Sequence, residues 1–188
     1  AVVVATGADA QGWVPGVRPV RGETIRVRTA DPPRRVVRAR IHGEAVYVVP
    51  RAGGEVVVGA SVEEHERAPF ATVGTVVRLL AAARVLLPGL DAAELVDVTA
   101  RNRPGTPDNG PMLGLRDPGG PWRQVLAVGH YRGGVLLAPL TAQVVRAYVE
   151  GADVPEVALP FAPDRFRAAP PFAGAGPQVP TTDRGGTT

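Results

Sequence analysis

Small and aromatic residues between two apolar runs form the densest candidate site of this sequence, at residues 127–139. The segment reads Ala-Val-Gly-His-Tyr-Arg-Gly-Gly-Val-Leu-Leu-Ala-Pro, so a predicted strand leads into glycines and then into a predicted helix. Glycines let a ligand approach the backbone, and the unpaired N–H groups that begin a helix carry partial positive charge. These features favour an anionic or electron-accepting ligand. An ordinary strand-to-helix turn has the same composition, so the segment alone leaves both interpretations open.

A second candidate is the segment 103–111, which reads Arg-Pro-Gly-Thr-Pro-Asp-Asn-Gly-Pro. Its prolines and glycines predict a stiff loop that holds Arg103 in one place. A fixed guanidinium offers a planar fork of donors that matches a carboxylate or a phosphate with two parallel hydrogen bonds. The alternative is a surface turn with a solvated arginine.

A third candidate is Tyr47, in the middle of an apolar run at residues 46–50. An aromatic side chain at such a position is typical of a filled core as well as of a pocket wall. His130 is one of three histidines and is equally suited to a turn. The sequence has no histidine and carboxylate spacing typical of zinc, no nucleophile elbow and no Walker or GxGxxG glycines. We therefore expect no metal site.

The composition excludes several classes of protein. The chain has 188 residues, no cysteine and a formal net charge of +3, which removes disulfides and thiolate chemistry from consideration. It contains no apolar run of about 18 residues and no continuous basic run, which argues against a membrane span and against nucleic-acid binding. Arginines alternate with apolar residues at 25–28, as on the wet face of a strand. We expect a cytoplasmic protein with no nucleic acid and no membrane as partner.

Alternation and turn residues predict a strand-rich middle of the chain, with glycines 53 and 54 closing a hairpin. The predicted strands are Glu23–Thr29, Arg35–Ile41, Ala45–Pro50, Glu55–Ala60, Glu94–Ala100 and Arg123–Val128. Helical spacing predicts a first helix over 71–87 and a second over Leu136–Val149, closed by Gly151. The first helix is expected to bury Val73, Val76, Val77, Leu80 and Leu87. Beyond Phe166 the composition predicts a disordered tail, residues 167–188.

The chain opens on an apolar run, Ala1 to Ala5, followed by the turn residues Thr6-Gly7-Ala8. This pattern predicts a strand buried on both faces, as in a parallel sheet. Such a strand needs neighbours on both sides. We therefore expect the chain to be a fragment whose first strand belongs to a sheet built largely by preceding residues.

Taken together and in this order, several short motifs resemble the D-amino-acid oxidase superfamily, and within it the bacterial glycine oxidases linked to thiamine synthesis. The motifs cover most of the chain, from Val2 to about Phe166. They are Val-Val-Ala-Thr-Gly-Ala at 3–8, Arg-Pro-Val-Arg-Gly at 18–22, Tyr-Val-Val-Pro-Arg at 47–51, Val-Val-Val-Gly-Ala at 56–60, Arg-Pro-Gly-Thr-Pro-Asp at 103–108 and Gly-His-Tyr-Arg-Gly-Gly-Val-Leu-Leu-Ala-Pro at 129–139.

The resemblance implies an α+β fold, with the large and mostly antiparallel sheet of a substrate domain, covering helices, and the C-terminal part of an FAD-binding domain. Residues 1–15 would end one segment of the FAD domain, residues 16–98 would form the substrate domain, and residues 99–166 would return to the FAD domain. The N-terminal Rossmann segment of the family would be missing. We expect the isolated fragment to be inactive for that reason.

The resemblance also assigns roles to the candidate residues. Arg103, Arg132 and Tyr47 would bind the substrate. The residues against the flavin of FAD would be His130, Tyr131, Arg132, Gly133, Gly134, Val135 and Leu136. Hydride transfer from the α-carbon needs the carboxylate to be fixed, which two arginines achieve without a catalytic base. Donors at the helix start would stabilise negative charge on the reduced ring.

The activity implied for the full-length parent is oxidative deamination of glycine or a small amino acid by molecular oxygen, in thiamine (thiazole) biosynthesis, by a homo-oligomer. Alternatives are an enzyme like sarcosine oxidase, a D-amino-acid dehydrogenase, and a non-catalytic module that binds an acidic partner. The sequence departs from the family at Arg101-Asn102, where Gly-Leu is usual, at Gly133, usually Asn, and at Asp9, where an aromatic is common. These differences bear on the shape of the pocket and on the preferred amino acid.

Overall fold

The computed structural model describes residues 1–64, 69–120 and 123–166, and the predicted tail at 167–188 lies outside these ranges. The described residues form nine strands, two α-helices and short 3₁₀ turns. The strands are β1 (Val2–Val4), β2 (Arg18–Arg28), β3 (Val37–Ile41), β4 (Glu44–Pro50), β5 (Glu55–Gly59), β6 (Glu63–Glu64), β7 (Glu94–Gly105), β8 (Met112–Leu115) and β9 (Gln124–Val128). The helices are α1 (Val73–Leu86) and α2 (Gly134–Glu150).

The larger sheet is antiparallel throughout and has β2 at its centre. Its order is β3-β4-β5-β2-β6, and β7 pairs with β2 along the other edge. The predicted hairpin is confirmed, because β4 and β5 pair around Gly53 and Gly54, both of which have positive φ. The predicted α+β class with a large antiparallel sheet is confirmed as well. The domain boundaries stay predictions.

Helix α1 covers one face of the larger sheet and builds the main core. Ile25, Val56 and Val58 from the sheet and Leu79 from the helix are fully buried. Burial of a side chain of this size contributes about 1.5 to 3 kcal/mol, so this layer is the chief source of stability in the sheet.

The predicted buried stripe of α1 is partly wrong. The buried residues are Thr75, Leu79, Ala82 and Ala83, whereas Val73 is 82% exposed. Valine, leucine and alanine occur all around this helix, so apolar spacing does not select one face. Small side chains at 82 and 83 let the helix approach the sheet closely, and the hydroxyl of Thr75 is satisfied by Glu63.

A buried ion network ties the start of α1 to the sheet. Glu23 is fully buried, and its carboxylate lies 3.3 Å from Nε of Arg21 and accepts a hydrogen bond from the backbone N–H of Thr72 at 3.1 Å. Arg21 also contacts the carboxylate of Glu63, which in turn contacts Arg78. Burial raises the pKa of Glu63, but hydrogen bonds from Thr75 and Arg21 and the charges of both arginines outweigh it, so the net pKa is lowered.

A second, smaller sheet has the order β1-β9-β8, with β1 parallel to β9 and β8 antiparallel to it. The first strand forms as predicted. Val2 and Val3 are 59% and 43% exposed within the described residues, so burial on both faces by further residues stays a prediction. Strand β8 had not been predicted. Helix α2 packs on this sheet through Val144 and ends at Gly151 in the left-handed conformation, as the sequence predicts.

The turn between β7 and β8 is held by charge. Arg165 binds the carboxylate of Asp108 through Nε at 3.0 Å, and Asp108 accepts hydrogen bonds from Thr106 and from the N–H of Gly110. The hydrogen bond from Arg165 is the main reason that the pKa of Asp108 is lowered to about 2. The turn that follows Arg103 is therefore rigid.

Candidate active site

The face of the larger sheet opposite α1, called the open face below, carries Tyr47 and Arg103. Residues that pair across antiparallel strands share a face, and alternate residues of one strand share it too. Tyr47 pairs with Gly59, Gly59 pairs with Thr24, and Thr24 pairs with Thr99. Two and four residues beyond Thr99 on the same strand stand Arg101 and Arg103. Tyr47 is half-buried on this face and does not belong to the main core.

Two glycines make room for these side chains. A Cβ added at Gly59 would meet the ring of Tyr47, with the hydroxyl at 2.5 Å. A Cβ added at Gly22 would collide with the guanidinium of Arg103. Tyr47 therefore lies flat across β5, and Arg103 lies across β2. The sequence signal for both was a glycine inside a strand pattern, which often marks a close approach.

Arg103 is braced by main-chain oxygens. Its Nη1 donates to the carbonyl of Ser61 at 3.2 Å and to the carbonyl of Arg21 at 3.4 Å. Ser61 is fixed in turn, because its N–H donates to the carbonyl of Glu23 and its Oγ accepts from the N–H of Glu23 at 3.0 Å. Ser61 was not among the predicted site residues, and its sequence context gave no signal for this role.

The prediction that Arg103 lies in a loop is wrong, because β7 continues through Arg103 to Gly105. Pro104 faces Pro19 across the strands. The carbonyl of Pro104 accepts from Tyr131, so it points away from β2, as expected of a pair that exchanges no ladder hydrogen bonds. Because this pair exchanges no ladder hydrogen bonds, the N–H that proline lacks is not needed at Pro104. The strand therefore continues through the proline.

The segment 129–133 contacts β7 next to Arg103 through a main-chain hydrogen bond to Pro104. The N–H of Tyr131 donates to the carbonyl of Pro104 at 2.8 Å, and Tyr131 has a φ of 49°. Few residues other than glycine adopt this conformation, which clusters at functional sites. The guanidinium of Arg132 lies over the Tyr131 ring, 5.3 Å from its centre.

The other predicted substrate residues affect the pKa of Arg103. The pKa of Arg103 is lowered, mainly by burial and then by the positive charge of Arg132, while Tyr131 and Tyr47 act in the opposite direction. Arg103 thus lies within electrostatic reach of all three. Within the described residues, neither Arg103 nor Arg132 forms an ion pair with a carboxylate.

Helix α2 begins directly after this cluster. Leu137 donates its N–H to the carbonyl of Gly133 at 2.8 Å, so the N–H groups of Gly134, Val135 and Leu136 precede the first turn of intrahelical bonds. Val135 and Leu136 are 94% and 84% exposed. An exposed apolar tip with free donors fits a ligand that combines a flat apolar body with polar edges.

His130 supports the same segment from inside. Its Nε2 lies 2.8 Å from Oγ1 of Thr141, about two helical turns into α2, and burial lowers the pKa of the imidazole. This contact holds the segment against the helix.

Among residues 1–64, 69–120 and 123–166, no three His, Asp or Glu side chains form a group that could hold a metal ion. Neither described helix is long and apolar enough to cross a bilayer.

A family model described as FAD dependent oxidoreductase matches residues 1–148. The chain belongs to this family. Among its relatives in the FAD-dependent oxidoreductase family is a bifunctional protein ThiO/ThiG of Synechocystis, 36% identical over 172 residues, which cover 87% of the chain and 25% of the relative. A thiamine biosynthesis oxidoreductase ThiO of Rhizobium etli is 34% identical over 157 residues, which cover 82% of the chain and 46% of that protein.

Glycine oxidase of Geobacillus kaustophilus is 35% identical over 169 residues, 86% of the chain and 43% of that enzyme. Its crystal structure matches with a TM-score of 0.74 at 34% identity, covering 86% of the chain and 44% of the solved chain. The resemblance to glycine oxidases noted from the sequence is confirmed. The chain spans between a quarter and a half of the length of these FAD-dependent relatives.

Proposed function

We propose that the full-length protein oxidises glycine or another small amino acid. In balanced form, the amino acid, molecular oxygen and water give a 2-oxo acid, ammonia and hydrogen peroxide. The imine is the first product, and water hydrolyses it. The similarity to glycine oxidase supports the reaction class, and the family supports FAD as cofactor.

The observation that carries the proposal is the uncompensated positive charge beside Tyr47. The charge of Arg132 lowers the pKa of Arg103, after the larger effect of burial. Two like charges held together cost free energy unless an anion binds between them. A single carboxylate balances much of this charge and accepts the donors that each guanidinium offers.

Each residue has one role in the proposal. Arg103, fixed by two carbonyls, sets the position of the substrate carboxylate. Arg132 binds its other oxygen, and Tyr47 forms the wall on the other side. With the carboxylate held at two points, the α-carbon keeps one orientation, which is the main requirement for hydride transfer. We assign no catalytic base.

The start of α2 fits the flavin of FAD. When bound, FAD accepts the hydride from the α-carbon and passes electrons to oxygen. Val135 and Leu136 offer apolar surface, and the N–H groups of residues 134–136 offer donors and partial positive charge to an electron-rich edge. His130, Tyr131, Arg132 and Gly133 would line the same ligand. Preceding residues would supply the remaining part of the cofactor site.

The relatives named for ThiO support a place in thiamine (thiazole) biosynthesis. We propose a cytoplasmic homo-oligomer as the full-length state. Size-exclusion chromatography with light scattering tests the assembly, and growth of a deletion strain with and without thiazole tests the pathway.

The central test uses the purified full-length protein. We expect the absorbance bands of oxidised flavin, their bleaching by a small amino acid without oxygen, and peroxide when oxygen returns. A colourless protein would favour a binding module instead. Bleaching without peroxide on return of oxygen would indicate a dehydrogenase, and turnover of sarcosine in preference to glycine would indicate an enzyme like sarcosine oxidase.

A further inference from the structure

Arg101 is an additional arginine on the open face, at a position where the resembling family usually has glycine. It stands two residues before Arg103 on β7 and is exposed, while Ala100 between Thr99 and Arg101 is buried. Alternation along a strand therefore puts Arg101 and Arg103 on the same side. Their Cα atoms are about 6.6 Å apart by strand geometry.

The guanidinium of Arg103 lies close to the backbone from which Arg101 projects. Arg101 is the cross-strand partner of Gly22, and the guanidinium of Arg103 lies on Gly22. Cα atoms of such partners are about 4.5 to 5.5 Å apart. The side chain of Arg101 thus rises from the backbone directly beside the group proposed to bind the substrate carboxylate.

Charge pairing distinguishes Arg101 from the two arginines of β2 on this face. Arg26 binds Asp97 at 3.2 Å and Arg28 binds Glu94 at 2.9 Å. Arg101 makes a hydrogen bond from Nη1 to the carbonyl of Ala100 at 2.8 Å and, in the part of the chain that the structure describes, no ion pair with a carboxylate. One contact to a neighbouring carbonyl leaves most of its donors for a ligand.

We propose that Arg101 binds a second carboxylate on the substrate, so that the site prefers small dicarboxylic amino acids over their monocarboxylic counterparts. This inference rests on the proposed amino-acid oxidase function. Arg101, Arg103 and Arg132 each lack a carboxylate partner among the described residues, and the α-carboxylate of a substrate balances one of their charges. A carboxylate at the far end of a short side chain reaches Arg101 when its guanidinium leaves the carbonyl of Ala100.

The first test compares aspartate with alanine, as both enantiomers, in the full-length holoenzyme. The ratio of their kcat/KM values should fall about tenfold in Arg101→Gln, the loss expected for one exposed charged hydrogen bond. Arg101→Lys should retain most of the ratio. Arg28→Gln is the matched control, because Arg28 lies on the same face with a carboxylate partner, and it should leave the ratio unchanged. An unchanged ratio in Arg101→Gln would overturn the inference.

A binding measurement separates this inference from the oxidase proposal. Calorimetry of the holoenzyme should show tighter binding of succinate than of propionate. In Arg101→Gln the ratio of the two affinities should fall about tenfold. Equal affinities in the wild-type protein would overturn the inference even if glycine is oxidised. Absence of peroxide from every amino acid would defeat the oxidase proposal, while the succinate preference would still decide the role of Arg101.

Discussion

Two arginine clusters on opposite faces of the larger sheet differ in their charge balance. On the face covered by α1, Arg21 is buried and contacts Glu23 and Glu63, and Arg78 also contacts Glu63, so two positive charges meet two negative ones. On the open face, Arg101 and Arg103 form no ion pair with a carboxylate within the described residues. Buried charges are tolerated when they are paired, whereas unpaired charges at an accessible site bind ligands. The balanced cluster therefore serves the fold, and we propose that the unbalanced one binds substrate.

The largest effect should come from breaking the balanced cluster. Glu23→Ala leaves Arg21 with less compensation in a buried site and removes the acceptor of the Thr72 N–H, so it should lower the free energy of unfolding by about 3 kcal/mol. Chemical denaturation of the full-length holoenzyme measures this. Glu94→Ala, which breaks the exposed pair with Arg28, should cost less than about 1 kcal/mol. Equal losses in both variants would contradict the distinction between the faces.

Arg103→Ala should impair substrate binding rather than the stability of the fold. It removes charged hydrogen bonds to the substrate and should raise KM by an amount that corresponds to about 1.5 to 3 kcal/mol, with little loss of flavin. Steady-state kinetics and the flavin-to-protein absorbance ratio measure the two quantities. Arg28→Ala, on the same face but away from the site, is the control. An unchanged KM would remove Arg103 from the substrate site.

Gly22→Ala tests the position of Arg103 without changing any charged residue. The added methyl group would occupy the space of the Arg103 guanidinium, so KM should rise by about tenfold, or about 1.4 kcal/mol. Gly89→Ala is a matched control, since a Cβ there meets nothing within 4 Å. If both variants keep the wild-type KM, Arg103 does not need its position across β2.

The smallest effect should appear at His130. Burial lowers its pKa in the folded state, below the ordinary value of about 6.5. The neutral form is therefore favoured by folding, and its contribution is complete above pH 6.5 and declines as the pH falls through the folded-state pKa. The melting temperature of the wild type should fall more steeply between pH 7 and pH 5 than that of His130→Gln. Equal slopes in the wild type and His130→Gln would contradict this expectation.

Most of the fold could be predicted from sequence because local patterns and tertiary structure agree there. The hairpin at Gly53 and Gly54 and the end of α2 at Gly151 are examples. The buried side of α1 could not be predicted, because its apolar residues surround the helix and the sheet selects the face with small side chains. The predicted β7 ended too early because Pro104 is typical of a loop. Its pairing with Pro19, where no ladder hydrogen bond is lost, depends on the tertiary structure and cannot be predicted from local sequence.

The roles of the candidate site residues stay predictions. The resemblance selected Tyr47, Arg103 and Arg132, and Arg132 and Tyr47 both affect the pKa of Arg103. Spacing alone could not have joined them, because the contact between Tyr131 and Pro104 links two segments that are far apart in the chain. The support from Ser61 was missed because it acts through its carbonyl, which every residue type has.

The two carbonyls that hold Arg103 affect which mutations the site tolerates. The oxygens that hold Arg103 belong to the peptide groups of Arg21 and Ser61, and a point mutation replaces a side chain but leaves the peptide oxygen in place. The anchor is thus shielded from most substitutions at its own two positions. It is lost when the path of β2 or of the residues after β5 moves, so insertions and deletions there are a greater threat to substrate binding than amino-acid exchange.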